Sequence, residues 1–303
     1  VNFDISSDPD TGATIWQDRN ISLDGGKGRD TLTLFKANSS LELVSGDRLY
    51  MRDADRDALT LAHTTVTDFE VYNLDIASNG LTWISLGRYN DAIRVAPLGA
   101  QNRSADLTIL GRGGDDTISG SREADDFIFG GAGDDTITGG GGAQDWEDRL
   151  TGGRGDDVIL ATGIEVSQDG TAIMTGGTGA DIYVPAFGYG STLPDTRVTD
   201  FRAGRDTLAV DFTAGYFTTV PGEVAPVDAA DRGLRIERDD AAALRFTVEL
   251  VNRFGDLETH EFNYLRGNGA FRHYQDSDGW RVMARLDGAP DLGIEDFAFY
   301  DWA

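Results

Sequence analysis

With 52 acidic against 26 basic side chains in 303 residues, the chain carries a formal charge of −26, so nucleic-acid phosphate and anionic lipid are repelled and cations are the expected partners. It contains no Cys, which excludes disulfides, zinc–thiolate sites and a cysteine nucleophile. No apolar run approaches the ~20 residues of a membrane span. No basic, apolar leader opens the chain, and its start at Val1 leaves an upstream piece and export by a leader as open alternatives.

Residues 1–109 read as an irregular β-helix or roll. Strand patterns occur at Thr31–Phe35, Leu59–Leu61, Val71–Leu74 and Leu107–Leu110, and the tetrapeptide Val-Thr-Asp-Phe occurs at Val66–Phe69 and again at Val198–Phe201. The hexad Gly-Gly-x-Gly-x-Asp at Gly25–Asp30 is followed two residues later by Leu32, and the same phase survives where Asp57 precedes Leu59 and Asp91 precedes Ile93. Alternating Asp at Asp53, Asp55 and Asp57 invites an EF-hand reading, but Ala58 stands where that loop needs Gly and Thr64 where it needs Glu. A roll turn or a solvated loop is the better reading there.

Residues 110–212 form the regular block. Complete hexads recur at Gly130–Asp135, Gly152–Asp157 and Gly176–Asp181, with Ile137, Ile159 and Tyr183 in the apolar register. With the first copy they complete the nonapeptide GGxGxDxUx, a calcium-binding β-helix repeat. Asp116, Asp126, Asp135, Asp148 and Asp157 each precede an aliphatic residue by two positions, at intervals of ten, nine, thirteen and nine residues. A nine-residue step is too short for a helical repeat and suits a Gly-rich turn plus a three-residue strand. Gly permits the turn, and the apolar residue points inward from the strand. Two nonapeptides then make one coil.

Residues 213–303 lose the Gly-rich pattern. Longer strands are predicted at Leu234–Arg238, Leu244–Val251 and Thr259–Leu265, with a turn over Asn252–Asp256 and room for a single helical turn at Asp228–Asp231. They read as a β cap, which a repeat stack requires to cover its open end.

Calcium takes six to eight hard oxygen ligands and accepts carbonyls as readily as carboxylates. One Gly-rich turn cannot complete the shell, but two turns stacked on one side, roughly eighteen residues apart, can. The hexads and their register resemble the RTX (repeats-in-toxin) family of secreted bacterial proteins. The resemblance implies an all-β, right-handed parallel β-roll with calcium-binding Gly-rich turns, several Ca2+ ions and a C-terminal β cap. In that family an ion takes the carbonyls of positions two and four and the Asp of one turn, then the carbonyls of positions one and three and the Asp of the next. Carried over, one site takes the carbonyls of Gly131, Gly133, Gly152 and Arg154 with Asp135 and Asp157. Its neighbour takes those of Arg112, Gly114, Gly130 and Ala132 with Asp116 and Asp135. Gly176 and Thr178 belong to the turn of Asp181, which pairs with Asp206 because Asp200–Asp206 resembles the segment that closes many RTX rolls. Asp126 and Asp148 mark an opposite row, where Ser121–Ala124 replaces the glycines and Gly139–Trp146 holds an insertion. Asp30 is an outlying ligand that Asp57 can pair across a longer coil. Carboxylates stacked ~5 Å apart repel by about 3 kcal/mol per pair at an effective dielectric near 20, so residues 110–210 are expected to fold only with calcium.

No catalytic residue is assigned. His260–Tyr264 lacks the second His of a zinc-protease motif, and a three-His site would need His63, His260 and His273 to converge. There is no Gly-x-Ser-x-Gly elbow and no phosphate-cradling loop. An acid/base carboxylate pair for polysaccharide cleavage carries no spacing rule, and Trp16, Trp83, Trp146 and Trp280 serve core or cap packing more readily than sugar platforms. The tail, with Asp276–Gly279, Leu286–Gly288 and Ile294–Phe299, resembles the type I secretion signals of RTX proteins. It reads equally as a last strand on the cap. The expected protein is secreted and extracellular, in a surface-layer, matrix or adhesion role, with a cell-surface polysaccharide or its own copies as partners. The alternative is a secreted enzyme, or the RTX part of one whose catalytic domain lies upstream.

Overall fold

The computed structural model describes residues 21–24, 31–37, 43–45, 50–53, 64–67, 71–77, 81–96, 106–121, 125–139, 147–161, 171–185, 195–211, 234–251, 257–275 and 279–300. The first third supplies β1 (Ile21–Asp24), β2 (Thr31–Ala37), β3 (Leu43–Ser45), β4 (Tyr50–Asp53), β5 (Thr64–Thr67), β6 (Val71–Ala77), β7 (Leu81–Ser85) and β8 (Ala92–Ala96). The Gly-rich block supplies β9 (Leu107–Leu110), β10 (Thr117–Ser119), β11 (Asp126–Ala132), β12 (Thr136–Thr138), β13 (Glu147–Arg154), β14 (Val158–Leu160), β15 (Thr171–Thr178), β16 (Ile182–Val184), β17 (Asp195–Val198) and β18 (Thr207–Asp211). The last part supplies β19 (Arg235–Asp239), β20 (Ala243–Val251), β21 (Leu257–Leu265), β22 (Ala270–Gln275), β23 (Gly279–Leu286) and β24 (Phe297–Tyr300).

From β7 to β18 successive strands alternate between two sheets, so each pair makes one coil of a flattened roll. One sheet runs β7-β9-β11-β13-β15-β17 and the other β8-β10-β12-β14-β16-β18, every neighbouring pair parallel. The fold is an all-β parallel β-roll. Upstream, β6 and β2 extend the second sheet in parallel, whereas β4 enters the first sheet antiparallel to β7 and β3.

The apolar residue of each repeat stacks on its equivalent in the next coil. In one sheet the register runs Ile84, Ile109, Ile128, Leu150, Met174 and Val198; in the other it runs Ile93, Ile118, Ile137, Ile159, Tyr183 and Leu208. All of these are buried. The two ladders face each other across the roll and form its core, each aliphatic side chain worth about 1.5–3 kcal/mol of burial. A short strand can contribute one such residue because its neighbours alternate outward.

The C-terminal strands close the roll by continuing both sheets. β23 pairs parallel with β17 and leads into the antiparallel series β23-β22-β21-β20-β19. β24 pairs parallel with β18, placing Phe297 against Leu208. The last strand, read from sequence as packing on the cap, thus joins the roll itself. Phe297 meets Phe246 and Phe271 with ring centroids 5.2 Å apart in each case, and Phe262 stacks on Phe246 at 5.5 Å. This aromatic cluster covers the apolar end that the last coil would expose to water. Predicted features at Asp57, Asp228–Asp231 and Asn252–Asp256 lie outside the described residues.

Candidate metal centre

Asp occupies the sixth position of each turn, between the Gly-rich bend and the inward apolar residue, and stacking the coils stacks these carboxylates. Each donates its backbone amide to Oδ1 of the next: Asp91 to Asp116 (2.8 Å), Asp116 to Asp135 (2.8 Å), Asp135 to Asp157 (2.9 Å), Asp157 to Asp181 (3.1 Å) and Asp181 to Asp206 (3.2 Å). The steps along the chain are 25, 19, 22, 24 and 25 residues, longer than two nonapeptides throughout. All six carboxylates are buried.

The second oxygens distinguish the members of the row. Oδ2 of Asp116, Asp135 and Asp157 is buried without any hydrogen-bond partner. An unsatisfied buried polar atom costs about 1–3 kcal/mol, and more when charged, so three in register call for a cation or protons. Burial pushes the carboxyls of Asp116, Asp157 and Asp135 up to about 8, 7 and 6, against the lowering effect of the backbone amide each accepts. Neighbouring carboxylates add to the rise. Burial also raises Asp181, where the positive charge of Arg202 pulls the other way.

The glycines leave the space in which these oxygens converge. A Cβ at Gly130 or Gly152 would collide with Oδ2 of the Asp in the same turn, and a Cβ at Gly111 would collide with the Gly130 carbonyl beside Asp116 Oδ2. Gly153 and Gly155 have φ of 128° and 123°, which ordinary L-residues avoid, and a Cβ on either would strike the carbonyl oxygens of Gly131 and Gly133 in the preceding turn. The turn therefore presents carboxylate and carbonyl oxygens into gaps that only Gly keeps open. Among the described residues no three His, Asp or Glu side chains meet at one point. Each gap between turns draws on two carboxylates of the row, and backbone carbonyls must supply the rest. That donor set fits calcium, which accepts carbonyls and tolerates irregular geometry.

The opposite edge of the roll is poorer. Asp126 donates its amide to Asp148 Oδ1 at 3.1 Å, repeating the ladder contact once. Their register partners are Leu107 on one side, then Ala172 and Thr196 on the other, so this row holds one carboxylate pair. Asp126 is already satisfied by the Ser121 amide at 2.6 Å and the Ser121 hydroxyl at 3.2 Å. Burial raises both carboxyls above the usual range.

The structure thus brings Arg112, Gly114, Asp116, Gly130, Gly131, Ala132, Gly133, Asp135, Gly152, Arg154, Asp157, Gly176, Thr178, Asp181 and Asp206 to one edge of the roll, and Asp126 and Asp148 to the other. Asp30 and its hexad lie outside the described residues. Asp91 belongs to the same ladder, and its signal was the Ile two residues later. A second, exposed ladder had a signal in the doubled acids: the amides of Asp134, Asp156 and Ala180 bind Oδ1 of Asp115, Asp134 and Asp156 at 2.9, 2.8 and 2.7 Å. Asp200 gave no periodic signal. Its carboxylate accepts from the amides of Gly176 and Gly177 at 3.0 and 2.8 Å and from the Tyr183 hydroxyl at 2.8 Å.

His260 and His273 sit in the cap, away from this row. His260 Nδ1 and His273 Nε2 are 3.3 Å apart between paired strands β21 and β22, and Glu261 pairs with Arg245 at 2.5 Å. His63 lies outside the described residues. Trp280 lies between Arg245 and Arg272, each guanidinium carbon 5.4 Å from its ring centre. Among the described residues no helix is long and apolar enough to cross a membrane.

The RTX calcium-binding nonapeptide repeat (4 copies) matches residues 108–125 and 147–163, which contain the turns of Asp116 and Asp157. No curated protein matches the chain. With the parallel roll, the Gly-opened gaps and the buried carboxylate row, the matched turns identify the chain as a carrier of RTX repeats, and these repeats bind calcium ions.

Proposed function

We propose that this chain is a secreted RTX protein whose roll folds on calcium outside the cell, where it serves a structural role in a surface layer, matrix or adhesion contact. The observation that carries the reading is the run of three buried, unpartnered carboxylate oxygens on Asp116, Asp135 and Asp157. Calcium in these gaps supplies the positive charge that the row lacks.

Three positions follow on this edge. The first uses Asp116 and Asp135 with the carbonyls of Arg112, Gly114, Gly130 and Ala132. The second uses Asp135 and Asp157 with Gly131, Gly133, Gly152 and Arg154. The third uses Asp157 and Asp181 with Gly153, Gly155, Gly176 and Thr178. Asp126 and Asp148 mark one more across the roll, and Asp30 an outlying one. The row is spread over residues 91–206, so ion binding and coil stacking are one event. Extracellular calcium modules work at about 10⁻⁴–10⁻³ M, a range that separates an unfolded chain at low calcium from a folded one outside. The exposed ladder of Asp115, Asp134 and Asp156 gives the roll an acidic rim, which supports calcium-bridged contact with an anionic polysaccharide or a second copy.

Circular dichroism during a calcium titration tests the folding claim. The β signal should rise cooperatively with calcium and fall on chelation; equal β content in chelator and in millimolar calcium would sink it. Light scattering with and without calcium, and with an anionic polysaccharide present, tests the surface role: a mass unchanged under every condition would count against it.

A further inference from the structure

The carboxylate row does not end on an unpartnered oxygen. Beyond Asp157, the gap between the turn at Gly176–Asp181 and the turn at Phe201–Asp206 is filled by a side chain. Arg202 Nη2 donates to the carbonyls of Gly177 at 2.5 Å and Gly179 at 3.3 Å and lies 3.3 Å from Asp181 Oδ2. Its Nε lies 3.3 Å from Asp206 Oδ2, and its backbone amide donates to the same oxygen at 2.8 Å. These partners are the carbonyls of positions two and four and the Asp of one turn, together with the Asp of the next. They correspond to oxygens that the three preceding gaps leave for an ion.

We propose that the guanidinium of Arg202 is a built-in cation occupying the last ion position of the row, so that this gap takes no calcium and part of the negative charge of the final coil is offset before any ion binds. The inference rests on the calcium reading of the row. Three observations support it together. The unpartnered Oδ2 atoms stop at Asp157, and those of Asp181 and Asp206 are the ones Arg202 reaches. Arg202 stands at the second position of its turn, where Gly131, Gly153 and Gly177 stand in the turns before it. A planar guanidinium presents several donors in a fixed fork, which matches a ring of carbonyl and carboxylate acceptors better than a point charge does. The same coil is tied to the cap independently of calcium: Gly204 donates to Asp296 Oδ1 at 2.6 Å, and Arg197 grips Asp287 with contacts of 2.9 and 2.7 Å. The last coil and cap thus form a folded edge on which the earlier coils can pair as calcium binds. A strand template with an unpaired edge supplies that nucleus.

Calcium stoichiometry by equilibrium dialysis, read beside amide hydrogen exchange in chelator, tests the proposal on the full chain. Arg202→Gly should bind one more ion per chain than wild type at saturation and should lose exchange protection at Leu208 and Tyr183 in chelator, while Arg202→Lys should gain no ion. In the wild-type background Asp206→Asn should leave the stoichiometry unchanged, whereas Asp157→Asn should lower it. A fall in stoichiometry with Asp206→Asn would overturn the arginine proposal and leave the calcium reading standing, as would an unchanged count in folded Arg202→Gly. If Arg202→Gly fails to fold in calcium, the Asp206→Asn result decides. A wild-type chain that binds no calcium would overturn both readings.

Discussion

Asp135 is the carboxylate whose removal should push the metal-free and metal-bound proteins in opposite directions. It closes two gaps: its Oδ1 accepts the Asp116 amide at 2.8 Å and its own amide reaches Asp157 at 2.9 Å, while its Oδ2 is unpartnered. In Asp135→Asn the amide oxygen can keep the Asp116 contact, so the stacking survives and the charge goes. Burial raises this carboxyl from 3.8 to about 6, so at pH 8 the metal-free fold holds it ionised at a cost of about 3 kcal/mol. The substitution removes that cost, and the roll should form in chelator at a lower concentration of a stabilising osmolyte. A neutral oxygen is a weaker calcium ligand at both gaps, and at roughly 1.4 kcal/mol or more per gap the calcium midpoint should rise tenfold or further. Circular dichroism against osmolyte in chelator, then against calcium without osmolyte, measures the two effects on one protein. A variant less stable than wild type in chelator, or one with an unchanged calcium midpoint, refutes the reasoning.

The metal-free roll should also respond to acid. Asp116, Asp157 and Asp135 titrate in the fold near 8, 7 and 6 against 3.8 for a free carboxyl, so the folded row binds more protons than the unfolded chain. Its proton-linked stability is present below about pH 4 and is lost as pH rises through 6 to 8, for a total on the order of 10 kcal/mol. In chelator, β signal should appear on acidification; more β structure at pH 8 than at pH 5 would contradict this. Gly153→Ala places a Cβ at φ 128° against the Gly131 carbonyl and should raise the calcium midpoint sharply, whereas Gly204→Ala, where no atom lies within 4 Å, should cost only the strain of its φ of 72°. Comparing the two by calcium titration separates closure of the gap from backbone strain. Ile137→Ala empties a fully buried rung and should lower the stability of the calcium-loaded roll by about 2–5 kcal/mol in denaturant melts.

What the sequence revealed follows from which contacts are periodic. Each repeat obeys the same two demands, an Asp at the turn exit and an apolar residue two positions on, so Asp116, Asp135 and Asp157 and their rungs Ile118, Ile137 and Ile159 could be read directly. The parallel roll and the main row of donors came with them. The opposite row was less legible because acidic spacing alone does not show which coils carry its equivalents: register gives Ala172 and Thr196 where an ion row would need Asp. Arg202 was hidden for a different reason. An Arg in a closing segment has no period, and only the stacking of the coils puts its guanidinium among the oxygens of the preceding turn. The route of β24 onto β18 was equally invisible, since a short apolar strand carries no mark of its neighbour.

The uneven coil lengths show which edge of the roll sets its geometry. Steps along the carboxylate row vary from 19 to 25 residues, yet the amide-to-Oδ1 contact stays within 2.8–3.2 Å at every step. The sequence carries the surplus residues on the other edge: Gly120 to Asp126 is a step of six and Gly139 to Asp148 one of nine, against five from Gly130 to Asp135 and from Gly152 to Asp157 on the carboxylate edge. On that edge the ladder contact occurs between Asp126 and Asp148, and the register then passes to Ala172 and Thr196. The two edges consequently divide the work. One holds a fixed pitch because every coil must deliver oxygen to the gap between turns; the other is free to vary because only the Asp126–Asp148 pair links its coils and the register then passes to Ala172 and Thr196. Lengthening the calcium edge by one residue between Gly133 and Asp135 would rotate the Asp out of the row and turn Ile137 away from the core at the same time. The same insertion between Gly139 and Asp148 disturbs neither. A calcium titration of the two insertion variants should show the first abolishing the cooperative β transition and the second leaving its midpoint within about twofold of wild type, and equal damage from both would deny the edges their separate roles.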